Sequence, residues 1–338
     1  IMAMVGVFER EPTPGGSAVA KLAEHESAAV RRAVVVAMRK VIESNRPNTF
    51  RAKQAAAKIV GSLLNDIDDS IVLEAGRVIH DLGVRSEMKM LASLVDGIDR
   101  FASSDALVRR ILNANFRVGT QVAAKKLAKY AADPGSDIAR RLEVIDWLRQ
   151  WALPPARDHV LHNWRPLNPK QRNVMDARNA VESVFDELLD GNDEIAAAAI
   201  AAAGDLKLTA IGDGLARLVQ STTVKESARV AGLQSLGRLN FKDLPEVLRT
   251  LGDESKVKLP PTLKTTLIDV AAERLPPSFS LPKIGEILER GSVEQKQAVI
   301  ETLGKMNDGG SEAYLRGFVG EMIAGTFDEQ LRLDVVLA

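Results

Sequence analysis

Apolar positions fall at helical spacing in segments that return every 30 to 40 residues, each after a short acidic or Ser/Asp turn. The segment reads VRRAVVVAM at 30–38, VLEAGRVIHDL at 72–82, VRRILNANFRVG at 108–119 and ARRLEVIDWL at 139–148. It returns as AAAAIAAAGDL at 196–206, SARVAGLQSLGRL at 227–239 and QKQAVIETLGKM at 295–306. Ala198 and Ala231 are 33 residues apart, and Ala231 and Ala298 are 67 apart, about two of the same period. One helix pair cannot bury its own apolar face, so a period of this length predicts a stack in which each repeat walls the next. The expected architecture is an all-α solenoid, a superhelix of antiparallel helix pairs, with about eight or nine pairs over residues 18–338.

The pattern also predicts where the elements begin. EREPTPGGS at 9–17 reads as loop, so residues 1–17 are expected to form a linker. Val19–Val41 reads as the first pair, with His25–Ser27 as its turn and Ser27 as N-cap. The second pair runs from about Arg51 to Leu82 around the turn NDIDDS, whose carboxylates suit the positive end of the next helix. In that helix Val72, Ala75, Ile79 and Leu82 take core spacing, while Glu74, Arg77 and Asp81 fall elsewhere. Arg109, Asn113 and Arg117 share a face of the helix at 107–118; Asn115 lies on its apolar side and needs backbone partners there. The Ala-rich run at 195–203 predicts close approach of helix axes.

One stretch breaks the repetition. WALPPARDHVLHNWRPLNPK at 151–170 holds four prolines and two of the chain's three tryptophans, and Pro154, Pro155, Pro166 and Pro169 exclude an uninterrupted helix. Loops that interrupt a regular scaffold carry function more often than the scaffold does. Trp151, Arg157, Asp158, Trp164 and Arg165 are therefore the candidate contact residues. The competing reading has the two tryptophans covering the end of a helix pair while Arg157 and Asp158 pair with each other.

Composition narrows the chemistry. Lysine plus arginine equals aspartate plus glutamate at 45 each, which leaves no global field for nucleic acid or an anionic membrane. With no cysteine, thiolate catalysis, disulfides, Cys-ligated zinc and haem attachment are excluded within this chain. No run approaches the roughly 20 apolar residues of a membrane span. His159 and His162 stand three apart beside Asp158, but neither His25 nor His80 supplies a third ligand, so no metal site is expected. Neither a nucleophile elbow, a phosphate loop nor a dinucleotide fingerprint occurs. No catalytic residue and no cofactor are expected in this chain. The paired arginines Arg31/Arg32, Arg109/Arg110 and Arg140/Arg141 occupy equivalent positions and could form a basic ladder for a phosphate backbone. The ladder fails at Leu73, Ala197 and Gln295, and such arginines commonly pair with acidic turns of the neighbouring repeat.

With these words laid out, the chain resembles the HEAT-repeat region of the planctomycete-type membrane-bound dehydrogenase family. The matching words are LNDIDDSIVLEAGRVIHDL (64–82), ALVRRILNANFRVG (106–119), DWLRQWALPPARDHVLHNWRPL (146–167) and LRLDVVLA (331–338). The second and third are the specific ones, and Gly76 and His162 depart from the pattern, where alanine and a small residue are usual. The resemblance implies a right-handed HEAT-like solenoid from an exported or periplasmic protein. In that family a β-propeller similar to quinone-dependent sugar dehydrogenases precedes this region and a c-type cytochrome domain follows it. The expected role is a non-catalytic scaffold whose partners are neighbouring domains of the same polypeptide. The alternative is a nucleic-acid-binding module of the same repeat type.

Overall fold

In the computed structural model, which describes residues 4–6, 18–46, 49–253 and 258–338, the chain is all-α. The predicted linker at 9–17 lies outside the described residues; residues 4–6 are helical, with Val5 buried. The contacts divide the chain into two compact units, 1–184 and 185–338, where the sequence pattern predicts one continuous stack. The division follows the Pro-rich insertion, which contains no α-helix from Gln150 to Asn173.

The first unit opens with α1 (Ala18–Leu22) and α2 (Ala28–Glu43), then α3 (Phe50–Ser62) and α4 (Asp69–Asp81). It continues with α5 (Met88–Ser93), α6 (Asp105–Val118), α7 (Gln121–Ala132) and α8 (Ile138–Arg149), and closes with α9 (Val174–Glu182). Up to α8 short connections fold successive helices against one another, and α9, beyond the insertion, packs mainly on α7. In addition α2 packs on α4, α4 on α6 and α6 on α8, so the second helix of each pair forms a continuous row. That neighbour-to-neighbour packing is what a solenoid requires.

The second unit repeats the scheme. Its elements are α10 (Phe185–Leu189), α11 (Asp193–Asp205), α12 (Gly212–Gln220), α13 (Glu226–Leu239), α14 (Leu244–Leu251), α15 (Pro261–Ala272), α16 (Pro277–Arg290), α17 (Val293–Lys305), α18 (Gly309–Ala324) and α19 (Arg332–Leu337). Here α11, α13, α15, α17 and α19 form the row. Ile268, Ile284, Ile287, Val299 and Leu303 make one core cluster, and Ile300, Phe327, Leu331 and Val335 another. In the terminal run LDVVLA, Val335 is buried while Leu333, Val336 and Leu337 stand exposed.

The local chemistry explains the starts and spacings. Asp68 caps α4 by accepting from the Ser70 N–H at 2.9 Å, as the acidic turn predicts. Ser27 sits at the N-cap of α2 but makes no side-chain cap bond; its N–H donates instead to His25 Nδ1 at 3.0 Å. Val72, Ala75 and Ile79 are fully buried. The close approach predicted for the Ala-rich helix is found between α11 and α13: a Cβ on Gly204 would lie 2.9 Å from the Ser235 backbone. Gly76 has a comparable reason, since a Cβ there would lie 2.9 Å from Leu107 Cδ1 in the next repeat.

Candidate docking site

The insertion is a small hairpin built around one buried carboxylate. Arg157 and Trp164 form a single antiparallel bridge, and the Arg165 N–H donates to the Ala156 carbonyl at 2.9 Å. Between them the Asp158 N–H donates to the Asn163 carbonyl and the His162 N–H to the Asp158 carbonyl, both at 2.9 Å. His162 turns the chain with φ of 55°, a left-handed conformation that a glycine or asparagine adopts more cheaply. The Asp158 side chain closes the turn from inside. Its Oδ1 accepts from the N–H groups of Val160 (2.9 Å) and Leu161 (3.0 Å), while Oδ2 takes Arg117 of α6 at 2.8 Å and Arg165 at 3.5 Å. Burial raises the pKa of this group, but the two backbone amides and the neighbouring His80 and Arg117 outweigh it and hold the carboxyl below its ordinary value.

Aromatic rings seat the hairpin's base on α6 and α8. Trp151 is fully buried with its ring edge-on to Phe116 at 5.7 Å between centroids. His159 stacks on Trp147 at 5.0 Å and meets Phe116 edge-on at 4.9 Å. Burial lowers the pKa of His159, which keeps the ring neutral and suited to stacking. Beyond the hairpin, the Arg172 guanidinium lies 4.1 Å from the Trp151 ring and 4.5 Å from Phe116, and donates to the carbonyls of both residues. Burial lowers its pKa to about 10, which still leaves it charged at neutral pH.

The five sequence candidates therefore separate. Trp151 and Asp158 cannot form a contact surface, because their side chains are interior and hold the loop together. Arg157 is exposed and donates to the His162 carbonyl at 2.9 Å; it does not pair with Asp158, because Asp158 points inward to Arg117. Trp164 is 72% exposed and covers no helix end. Arg165 bridges inside and outside, touching Asp158 and lining a cleft. Phe116, Arg117, His159 and Arg172 were not singled out as site residues from sequence, although the first two sit in the specific word at 106–119. His159 stacks on Trp147 while His162 occupies the exposed turn, and among the described residues no group of three His, Cys, Asp or Glu is placed to hold a metal.

The double arginines are consumed by neighbouring repeats. Arg31 holds buried Asp66 through two bonds at 2.6 and 2.9 Å, and Arg110 holds Asp81 through two at 2.9 Å. Arg109 pairs with Glu143 at 2.9 Å, Arg140 with Asp105 at 3.0 Å, and Arg141 donates to the Ala131 carbonyl at 2.7 Å. Arg32 reaches Ser70. The feature that suggested a basic ladder is thus a set of links between repeats, with Arg141 alone closing its own pair. Asn115 bonds the carbonyls of Ala92 and Ile111, as its apolar-side position predicts.

One of these links has a measurable pH dependence. Asp81 is bonded by Arg110 and by His80 Nδ1 at 2.8 Å, and His80 Nε2 lies 2.9 Å from Asn113 Oδ1. Burial raises the Asp81 pKa, but the bonds from His80 and Arg110 overcome this and bring it from 3.8 to about 2. A depressed carboxylate stabilises the fold above the unfolded-state value, and this stabilisation disappears as pH falls from about 4 to about 2. The shift corresponds to about 2 kcal/mol. Asp81→Asn is expected to remove about that much at pH 7 and to flatten the acid limb; denaturant titrations at pH 7, 4 and 2.5 check both.

The rows of paired helices define an all-α, solenoid-like protein carrying one hairpin insertion. No protein-family model matches the chain. No curated protein matches it either. Among the described residues no helix is long and apolar enough to cross a membrane.

Proposed function

We propose that this chain is a non-catalytic helical-repeat scaffold of the HEAT type that docks protein through its hairpin, its partners being neighbouring domains of the same exported polypeptide. The observation that carries the docking role is Trp164: a 72% exposed tryptophan on a hairpin fixed at both strands. Exposed aromatics are costly to leave in water, and tryptophan and arginine dominate the energetics of protein interfaces. A pre-formed hairpin also lowers the ordering cost of binding. Arg157, paired with Trp164 across the bridge, adds a cation beside it, and the same insertion also exposes Leu153. The propeller and cytochrome partners rest on the sequence resemblance alone.

Two measurements test this reading. The coding sequence on either side of these residues is expected to encode a propeller-like segment upstream and a CxxCH motif downstream; flanks without either remove the redox-scaffold assignment. A photoreactive side chain introduced at position 164 in the full-length gene product is expected to crosslink to protein outside 1–338. Trp164→Ala should weaken that association at least about tenfold, the effect of losing an interface anchor. Crosslinks confined to this chain's own residues would remove the docking role.

A further inference from the structure

The hairpin's inner side forms one wall of a cleft of about 780 Å³ whose polar lining is strongly one-sided in charge. Arg85 and Lys89, from the turn after α4 and the start of α5, face it together with Arg117 of α6 and Arg165 of the hairpin. No aspartate or glutamate lines it. Asp158 lies behind two of these cations, its Oδ2 shared between Arg117 and Arg165, and the Glu87 carboxylate, between Arg85 and Lys89 in the chain, is buried against Gly61 of α3. Arg85 and Lys89 are exposed and have no partner among the described residues. Four cations and no carboxylate line the concave surface, where low-dielectric walls strengthen the field.

Two of the four cations are also restrained and short of water. The Arg117 and Arg165 side chains keep only 13% and 16% of their exposure. Burial lowers the Arg117 pKa, and the neighbouring charges of Arg165 and Arg85 lower it further against the opposing pull of Asp158. Arg165 is held over Gly83, whose backbone has φ of +68°; a Cβ there would lie 3.0 Å from the guanidinium. The glycine permits both the left-handed turn and the close approach of the arginine.

We propose that this cleft binds a small organic phosphate carrying two to three negative charges, its phosphate oxygens held by Arg85, Lys89, Arg117 and Arg165. Guanidinium forks suit phosphate oxygens bidentately, while a lysine adds a mobile point charge. The volume lies within the usual 300–1,000 Å³ of small-ligand sites and exceeds what a bare oxyanion fills. Met88 and Leu167 supply apolar wall for the organic part. This site is separate from the outward face of the hairpin that carries Trp164, so it stands or falls independently of the docking role.

The test uses the whole chain and inorganic pyrophosphate as probe, followed by titration calorimetry at low ionic strength, with citrate and a short DNA duplex as comparison ligands. Pyrophosphate is expected to bind at one site per chain, more tightly than citrate. Arg85→Gln and Lys89→Gln should each weaken it by about tenfold or more, as loss of one charge-assisted contact implies. Because neither side chain has a partner, both variants should melt with the wild type, which separates lost binding from lost folding. Pyrophosphate affinity unchanged in both variants, or no binding at millimolar probe, overturns the site. Citrate binding as tightly as pyrophosphate overturns the phosphate assignment. Duplex DNA that binds more tightly than pyrophosphate and loses affinity in the same variants overturns the small-ligand assignment in favour of a nucleic-acid surface.

Discussion

Asp158→Ala is expected to melt the hairpin and to lower the stability of the first unit by about 3 kcal/mol. The carboxylate has four partners: two backbone N–H groups in its own turn and two guanidinium groups, one of them on α6. Removing one member of a buried ion pair costs about 3 to 5 kcal/mol, chiefly through the charge left behind. Arg117 and Arg165 retain some water, which places this case at the lower end. For a unit of this size the loss corresponds to a fall of about 6 to 12 °C in the thermal midpoint. Asp158→Asn should fall between, because an amide oxygen can still accept from Val160 and Leu161 but attracts the guanidiniums weakly. Hydrogen exchange at the amides of Val160, Leu161 and Arg165 gives the local reading. If those amides remained protected in Asp158→Ala, the hairpin would be held by its backbone bridge and ring contacts instead.

The helical rows were legible in the sequence because their cause is local and repeated. Val72, Ala75 and Ile79 announce a buried face by spacing alone, and Asp68 announces a helix start through a bond to a residue two positions away. Contacts one repeat distant were legible as a type. Arginines beginning a second helix were expected to meet acidic groups of the next turn, and Arg31 meets Asp66 across 35 residues. The identity of each partner was less accessible. Asp66 sits in a turn full of capping residues and looks like one of them, yet its two oxygens bind Arg31 while Asp68 does the capping.

The insertion was legible as a break and opaque as a structure. Four prolines exclude a helix, but the groups that shape the loop lie far away in sequence: Arg117 is 41 residues from Asp158, and Arg172 is 56 from the Phe116 carbonyl it bonds. No period relates them. A weak signal was present in the unusual word at 106–119, where Phe116 and Arg117 sit on the helix that receives the loop. Separation of the chain into two units was equally hidden, because the repeat pattern continues past 184 with the same spacing. Periodicity records what each helix buries, and says little about which neighbours cohere.

The two tryptophans of the insertion are expected to respond oppositely to substitution. Trp151→Ala should cost about 3 to 5 kcal/mol, the range for truncating a large buried aromatic. Its side chain is fully buried, Phe116 packs on its edge, and the Arg172 guanidinium covers its ring. The alanine variant would leave a cavity beneath Arg172 and remove one of the two ring faces that make burial of that cation tolerable. Trp151→Phe should cost less, since it keeps a ring and discards an indole N–H that has no acceptor among the described residues. Trp164→Ala should change stability by no more than about 0.5 kcal/mol, because a side chain this exposed has little packing to lose. Chemical denaturation of the three variants measures the order. Fluorescence adds an independent check: with three tryptophans in the chain, Trp164→Phe should remove the red-shifted, quencher-accessible component and Trp151→Phe should leave it. Equal costs for Trp151→Ala and Trp164→Ala would mean that the outer face of the hairpin is packed as firmly as its base, and Trp164 would lose its standing as a free docking residue.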